Sequence, residues 1–429
     1  MPRTLAEWLA YQEHVNPHSI ELGLERVRTV WRRMGAPAPA PCVVTVGGTN
    51  GKGSTVALLE AMLHAAGRRV GCYTSPHLLR YNERVRIDGR DATDDALTGA
   101  FERIEVARGT GADAVPLTYF EYGTLAALDL FARAGLDVAV LEVGLGGRLD
   151  AVNIVDADAV AITTIDLDHM DWLGNDRDSI GREKAGIARR GRPAIVGELD
   201  PPTGLLDALA ASGAQVQRAG RDFSAQRQGQ GWRWQHRDGT SFDLPDPALA
   251  APVQYANAAT AVAVLHALGT GGRIAPMALS QAAADGLRAV RVPARLQSLG
   301  GDPLLVVDVG HNPQAARALA DWLQARDFPR VHAVYGALAD KDVAGVLVAL
   351  GPQVDHWHLA GLDGASPRGL PVGALAQALR QALPQAVSDA HADVPAALAA
   401  ARTRAQPGEC ILAFGSFFVA SAVLAEPAA

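Results

Sequence analysis

Cysteine is scarce in this chain: Cys42, Cys72 and Cys410 are the only three among 429 residues. They lie far apart with no metal-type spacing, which excludes a disulfide framework and suits a reducing compartment. Long apolar runs are missing too. None reaches the roughly 18 residues that a membrane helix requires, and the opening Met-Pro-Arg-Thr-Leu-Ala-Glu-Trp lacks the charged-then-apolar pattern of a secretory leader. A cytoplasmic protein without a membrane partner is expected. A basic excess is also absent. Lys and Arg number 39 against 46 Asp and Glu, a formal charge of −7, which argues against a nucleic-acid partner. There is no low-complexity tract and no short-period repeat.

What the chain does have is concentrated at residues 41–55, Pro-Cys-Val-Val-Thr-Val-Gly-Gly-Thr-Asn-Gly-Lys-Gly-Ser-Thr. A β-branched run at 43–46 reads as a buried strand, residues 47–53 as a glycine-rich turn, and 56–66 as a helix. Strand, glycine loop with one lysine, and helix form a cradle for polyphosphate. Backbone N–H groups approach the phosphates, Lys52 supplies a point charge, and the helix N-terminus adds its partial positive charge. Ser54 or Thr55 can reach Mg²⁺. The common phosphate-loop pattern fails in two places, at Val46 and at Gly53, so the loop is of a variant type. In a chain of net negative charge, local cations must attract an anionic ligand; Lys52, Arg84, Arg86, Arg148 and Arg295 are candidates.

Further strands end in unusual residues. A strand near 69–73 stops at Ser75-Pro76. The apolar strand 138–143 contains Glu142 and runs into Gly144-Leu-Gly-Gly-Arg148-Leu-Asp150. A buried carboxylate is costly unless paired, so Glu142 reads as a metal ligand or water-holding group. The strand 158–164 leads to Asp166, Asp168, His169 and Asp171, where metal ligation or support is expected of His169. In an open parallel sheet with right-handed crossovers all carboxyl ends lie on one rim, so Lys52, Ser75, Glu142 and His169 should converge.

The remaining chain is read more coarsely. Two amphipathic helices are expected before residue 40, the second from Ile20 to Met34. Helices are expected at 94–108, from 118 to about 134 and from Ser179. Residues 200–250 suggest a peripheral hairpin turning at Asp238-Gly239, with Trp232 and Trp234 covering an edge. A long helix begins at Asn257. Residues 292–296 read as a hinge. Beyond it a second α/β unit has strands at 304–307, 331–335, 356–359 and 410–414, with Asp308 and His311 at the end of the first.

Taken together, Gly-Thr-Asn-Gly-Lys-Gly-Ser (48–54), Tyr-Thr-Ser-Pro-His (73–77), Thr-Tyr-Phe-Glu (118–121), Leu-Glu-Val-Gly-Leu-Gly-Gly-Arg-Leu-Asp (141–150), Leu-Asp-His-Met-Asp-Trp-Leu-Gly (167–174), Arg-Glu-Lys-Ala-Gly-Ile (182–187) and Asp-Val-Gly-His-Asn-Pro (308–313) resemble the bacterial bifunctional dihydrofolate synthase/folylpolyglutamate synthases, relatives of the Mur ligases. The resemblance spans nearly the whole chain and accounts for the variant loop. It implies an α/β fold: an N-terminal P-loop ATPase domain on a mostly parallel sheet (1–295) and a smaller Rossmann-like C-terminal domain (296–429). It implies ATP and Mg²⁺ at two sites, the substrates dihydropteroate, reduced folates and L-glutamate, and a monomer. By position, Thr49, Asn50, Gly51 and Lys52 would hold ATP phosphates, and Asn257, Arg295 and Asp308 would contact ATP from the hinge and the second domain. Ser75, Glu142, His169 and a carbamylated Lys184 would hold metal. Glu21, Leu22, Gly23, Leu24, Thr118, Tyr119, Phe120, Glu121, Leu149, Asp150 and Ala151 would line a pterin pocket. Lys52, Lys184, Asp308 and His311 form the catalytic set, with His311 placing phosphate or glutamate. Gly310, Phe418 and Glu21 depart from the family pattern, which commonly has alanine, histidine and aspartate there. A Mur-type ligase acting on a nucleotide-linked wall precursor is the alternative; the segments 118–121 and 149–151 argue against it.

Overall fold

The structure is a computed structural model that describes residues 3–16, 20–274 and 278–426. The chain forms two compact units: residues 1–248 with 255–290, and residues 249–254 with 291–429. The division after residue 290 falls ahead of the expected one after Arg295, so the segment 292–296 goes with the second unit.

The first unit is built on strands β1 (Cys42–Gly47), β2 (Val70–Tyr73), β3 (Val85–Ile87), β4 (Arg90–Asp91), β5 (Val138–Glu142), β6 (Ala159–Ile162), β7 (Pro193–Val196) and β8 (Gln215–Arg218). Their order in the sheet is β4-β3-β2-β5-β1-β6-β7-β8. Only β3 and β4 run antiparallel to their neighbours. Every residue of β1, β2, β5 and β6 is buried, as expected for parallel strands covered on both faces. Register sets Val46 beside Glu142, Gly47 beside Ile162 and Tyr73 beside Leu141, so the carboxyl ends of these strands are level. The helix Lys52–Ala65 follows β1. The helix Leu279–Ala289 packs on it so closely that a Cβ at Gly286 would lie 2.7 Å from Met62 Cα.

Five sequence expectations are corrected here. The second helix starts at Glu25, not Ile20; Gly23 takes φ +153, a conformation side chains resist, and the preceding segment leaves the helix. Residues 17–19 lie outside the described ones. The helix expected from Ser179 starts at Arg177, capped by Asp176. The expected hairpin is the outer part of a three-stranded antiparallel sheet of β9 (Phe223–Arg227), β10 (Trp232–His236) and β11 (Ser241–Leu244). Its tryptophans do not cover an edge. Trp234 is fully buried, stacks on Phe242 at 5.4 Å and donates its indole N–H to Ala259 O at 3.1 Å. Ala259 belongs to the helix Gln254–Thr270, which starts one turn before the expected Asn257.

The second unit has strands β12 (Gln297–Gly300), β13 (Leu304–Val307), β14 (Val331–Tyr335), β15 (His356–Ala360), β16 (Ser388–His391) and β17 (Cys410–Phe414), ordered β12-β13-β17-β14-β15-β16. All pairs are parallel except β12 with β13. Tyr335, Trp357 and Phe414 fill its core. The cysteines are all buried on strands: Cys42 on β1, Cys72 on β2 and Cys410 on β17. Burial pushes the Cys42 and Cys410 thiols up to about 12 and Cys72 well above its ordinary value. Among the described residues no helix is long and apolar enough to cross a membrane.

Candidate active site

The glycine loop is pinned by its neighbours before any ligand is considered. Thr49 N–H donates to Thr164 O at 2.7 Å, and Asn50 N–H to the Thr164 hydroxyl at 3.0 Å. The Thr163 hydroxyl donates to Asn50 O at 2.6 Å, while Thr49 Oγ1 accepts from Asp166 N–H at 3.1 Å. Two loop glycines are required by space and backbone. Gly51 caps the helix at φ +85, where a Cβ would lie 2.5 Å from Asn257 Oδ1; Gly48, at φ +140, would drive a Cβ into Thr163 Oγ1. Asn257 therefore lies against the loop from within the first unit.

Two lysines meet on this loop. Lys52 Nζ donates to Gly48 O and Thr49 O, each at 3.1 Å. Lys184 Nζ donates to the same Gly48 O at 2.9 Å. Lys184 is buried, and its ammonium is pushed down to about 7, first by burial and then by the charge of Lys52, against the pull of Asp168 and Asp150. Across the rim the buried Glu142 carboxylate accepts from Ser75 N–H at 3.3 Å. His169 sits in the left-handed region at φ 51 beside Asp168, with Nε2 3.8 Å from its carboxylate. Lys52, Ser75, Glu142 and Lys184 thus occupy one end of the sheet, and Asp168 links His169 to that cluster. Of the other cations considered, Arg86 is held by Glu60 and Arg148 by Glu183.

The segments 21–24, 118–121 and 149–151 also come together. Arg26 bridges Glu21 at 2.6 Å and Glu121 at 3.2 Å. Gly23 N–H donates to Leu149 O at 3.4 Å. Thr118 and Glu121 form a capping box on the helix Tyr119–Ala134, which fixes the position of Phe120. That ring packs on Gly144, where a Cβ would meet it at 2.6 Å. Asp150 is buried and accepts from Leu145 N–H at 2.8 Å and Val152 N–H at 3.0 Å; burial pushes its carboxyl up to about 6.

In the second unit Asp308 accepts from Leu296 N–H at 2.8 Å and Gly310 N–H at 2.6 Å. Burial raises its carboxyl, against the charge of Arg295. The Arg295 guanidinium lies 5.6 Å from the Phe417 ring centroid, and His311 Nδ1 is 3.0 Å from Val309 O. Asp308 and His311 lie in the turn between β13 and the helix Pro313–Gln324, and Arg295, just ahead of β12, is their neighbour.

The chain is 49% identical over 367 residues to the dihydrofolate synthase/folylpolyglutamate synthase of Escherichia coli, covering 85% of this chain and 83% of that protein. It belongs to the dihydrofolate synthase/folylpolyglutamate synthase family. The family models of the Mur ligase middle domain and the Mur ligase glutamate ligase domain match residues 46–247 and 294–417. Escherichia coli FolC in complex with DHPP and ADP superposes with a TM-score of 0.91 at 45% identity, covering 98% of this chain and 97% of that one. A bifunctional folylpolyglutamate synthase/dihydrofolate synthase with Mn, AMPPNP and L-glutamate bound gives 0.88 at 46% identity, covering 99% and 98%.

Two groups escaped sequence reasoning. Thr163 and Thr164 hold the family's loop in place, and their signal was a hydroxyl pair at a strand end. Arg26 joins the segments 21–24 and 118–121, yet in sequence it is one more polar residue on an amphipathic helix.

Proposed function

We propose that this protein is an ATP-dependent ligase that joins L-glutamate to dihydropteroate, forming dihydrofolate, and to the glutamyl tail of reduced folates. The observation that carries the reading is the meeting of Lys52, Lys184 and the Ser75–Glu142 pair on one rim in a chain of this family. A carboxylate is a poor acyl group. Its oxygen first attacks the γ-phosphorus of ATP and ADP leaves; the amine of glutamate then attacks the acyl carbon, and phosphate leaves with the amide formed. Lys52 exchanges the loop carbonyls for phosphate oxygens and offsets charge as the two anions approach. The loop N–H groups and the helix start at Lys52 orient the phosphates. The bridged segments 21–24, 118–121 and 149–151 hold the pterin, with Phe120 fixed against Gly144.

The donor set suits a hard divalent cation. Ser75, whose N–H donates to the Glu142 carboxylate, and Glu142 itself each carry an oxygen ligand, and His169 stands beside Asp168. We assign Mg²⁺ here, at two sites, the second completed by Lys184 once carbamylated. When bound, the metal supplies positive charge that lowers repulsion between phosphate and carboxylate. An unmodified Lys184 ammonium would oppose it, and a lysine pushed down to about 7 carries the neutral amine that CO₂ addition needs. Arg295, Asp308 and His311 serve ATP and glutamate from the second unit. The proposal extends to a cytoplasmic monomer.

Phosphate release with ATP, Mg²⁺, L-glutamate and either dihydropteroate or a reduced folate tests the reading. Stimulation by the pterin substrates is expected. Stimulation by a muramoyl nucleotide, with none by either pterin, would overturn it.

A further inference from the structure

The second unit gathers histidine on one face of its sheet. Four of the chain's twelve lie there: His332 on β14, His356 and His358 on β15, and His391 on β16. His332 is in register with His356, and His358 with Asp389, and residues in register share a face. The opposite face carries Ala333, Tyr335, Trp357 and Leu359 into the apolar core. The rings lie close, with centroids 5.5 Å apart for His332 and His358, 4.6 Å for His356 and His358, and 5.9 Å for His358 and His391.

Hydrogen bonding engages one nitrogen of His358 and leaves the other without a partner. Glu409, held ionised by Gln406 N–H and by His332, can only accept, so the His332 nitrogen 3.1 Å away, Nε2, carries a hydrogen. The other His332 nitrogen, Nδ1, lies 3.2 Å from His358 Nε2. His358 Nδ1 stands outside this pair. It is buried with no hydrogen-bond partner, on a residue with no exposed surface. A carboxylate that orients an imidazole through its far nitrogen is the usual support of a metal-ligating histidine; here the support passes through one additional ring. Beside it, His356 Nε2 and Asp389 Oδ2 are 2.9 Å apart, close to the roughly 3.0–3.4 Å that two donors keep when each is about 2.1 Å from one ion. One donor atom each from His356, His358 and Asp389 lie within 4.8 Å of one another. His391 Nε2 is a second buried nitrogen without a partner.

We propose that His356, His358 and Asp389 bind a divalent transition-metal ion of the Zn²⁺ class, with His332 and Glu409 orienting His358. Two imidazoles and one carboxylate favour such an ion over Mg²⁺ or Ca²⁺. The ion takes the place of the His356 Nε2 hydrogen, which moves to Nδ1. Asp389 lies on the edge strand β16 with its side chain 43% exposed, which gives the ion a way in. His356 is the first residue of β15 and Glu409 precedes β17, so the cluster occupies the amino-terminal half of these parallel strands. Asp308 and His311 follow the carboxyl end of β13. Arg404 donates to Asp389 Oδ2 at 3.2 Å and competes with a cation for that oxygen; its exposed guanidinium can swing into solvent.

Co²⁺ titration of the full chain, stripped of metal and free of Mg²⁺, tests this through the visible absorption of a low-coordinate cobalt site. The absorption should saturate at one equivalent, Zn²⁺ should abolish it, and Zn²⁺ should raise the melting temperature. His358→Gln and Asp389→Asn should each weaken binding at least tenfold, whereas Arg404→Ala should tighten it several-fold. His266→Gln, which alters the separate His236–Asp238–His266 cluster, should leave the absorption unchanged. Circular dichroism checks folding, and the half-exposed Asp389→Asn decides if His358→Gln unfolds. Absence of the absorption in the wild-type chain, its survival in Asp389→Asn, or its loss in His266→Gln would overturn the proposal.

Discussion

Lys184 makes a prediction that can be worked through from its surroundings. Its fall from 10.5 to about 7 corresponds to about 5 kcal/mol of preference for the neutral amine. At pH 8 such a lysine is about nine-tenths neutral, against about 0.3% for an ordinary one. Carbamate forms only on the neutral amine, so the site favours it by more than two orders of magnitude over a surface lysine. Depleting CO₂ should lower ligase turnover at least tenfold, bicarbonate should restore it, and ¹³C-bicarbonate should give a carbamate resonance that Lys184→Arg lacks. Stability carries a second signature. Without CO₂, the unfolded chain binds a proton that the folded chain lacks between about pH 7 and 10.5, so unfolding free energy should rise with pH through that window. Lys184→Met should flatten this rise. Full turnover after CO₂ depletion, with no carbamate resonance, would refute the reasoning.

Other outcomes follow from particular contacts. Lys52→Ala should reduce phosphate release at least a hundredfold with an unchanged circular dichroism spectrum, since Lys52 Nζ donates to loop carbonyls alone among its described hydrogen bonds; near-normal release would remove the loop assignment. Trp234→Ala deletes a fully buried ring and its bond to Ala259 and should cost about 3–5 kcal/mol in urea unfolding. Gly286→Val forces atoms against the Met62 backbone and should cost about 1–3 kcal/mol by the same measure.

The parts of this molecule visible in sequence are those whose chemistry is local. A glycine loop, a carboxylate inside an apolar strand and a proline after a serine each announce a strand end, and parallel topology then places those ends side by side. The capping box at Thr118 and Glu121 is equally local, and the helix Tyr119–Ala134 begins where it directs. What stayed hidden depends on distant partners. The strand Ser388–His391 is polar and lies at a sheet edge, so it lacks the apolar run that marks a buried strand. The strand Phe223–Arg227 is mostly exposed for the same reason. Trp234 belongs to a core only because the helix Gln254–Thr270 closes over it. The four histidines of the second unit come from three separate strands, and only register brings them together.

The sparse cysteines have a use that their chemistry alone does not suggest. Each lies on an inner strand of a mostly parallel sheet, and each thiol is held in its unreactive protonated form. An alkylating reagent reacts with the thiolate, so it modifies these sites only after the strand that carries them has opened. Cys42 and Cys72 time the opening of the first unit, and Cys410 that of the second. A labelling time course followed by peptide mapping would therefore rank the local opening free energies of the two units in the natural sequence, with no introduced probe.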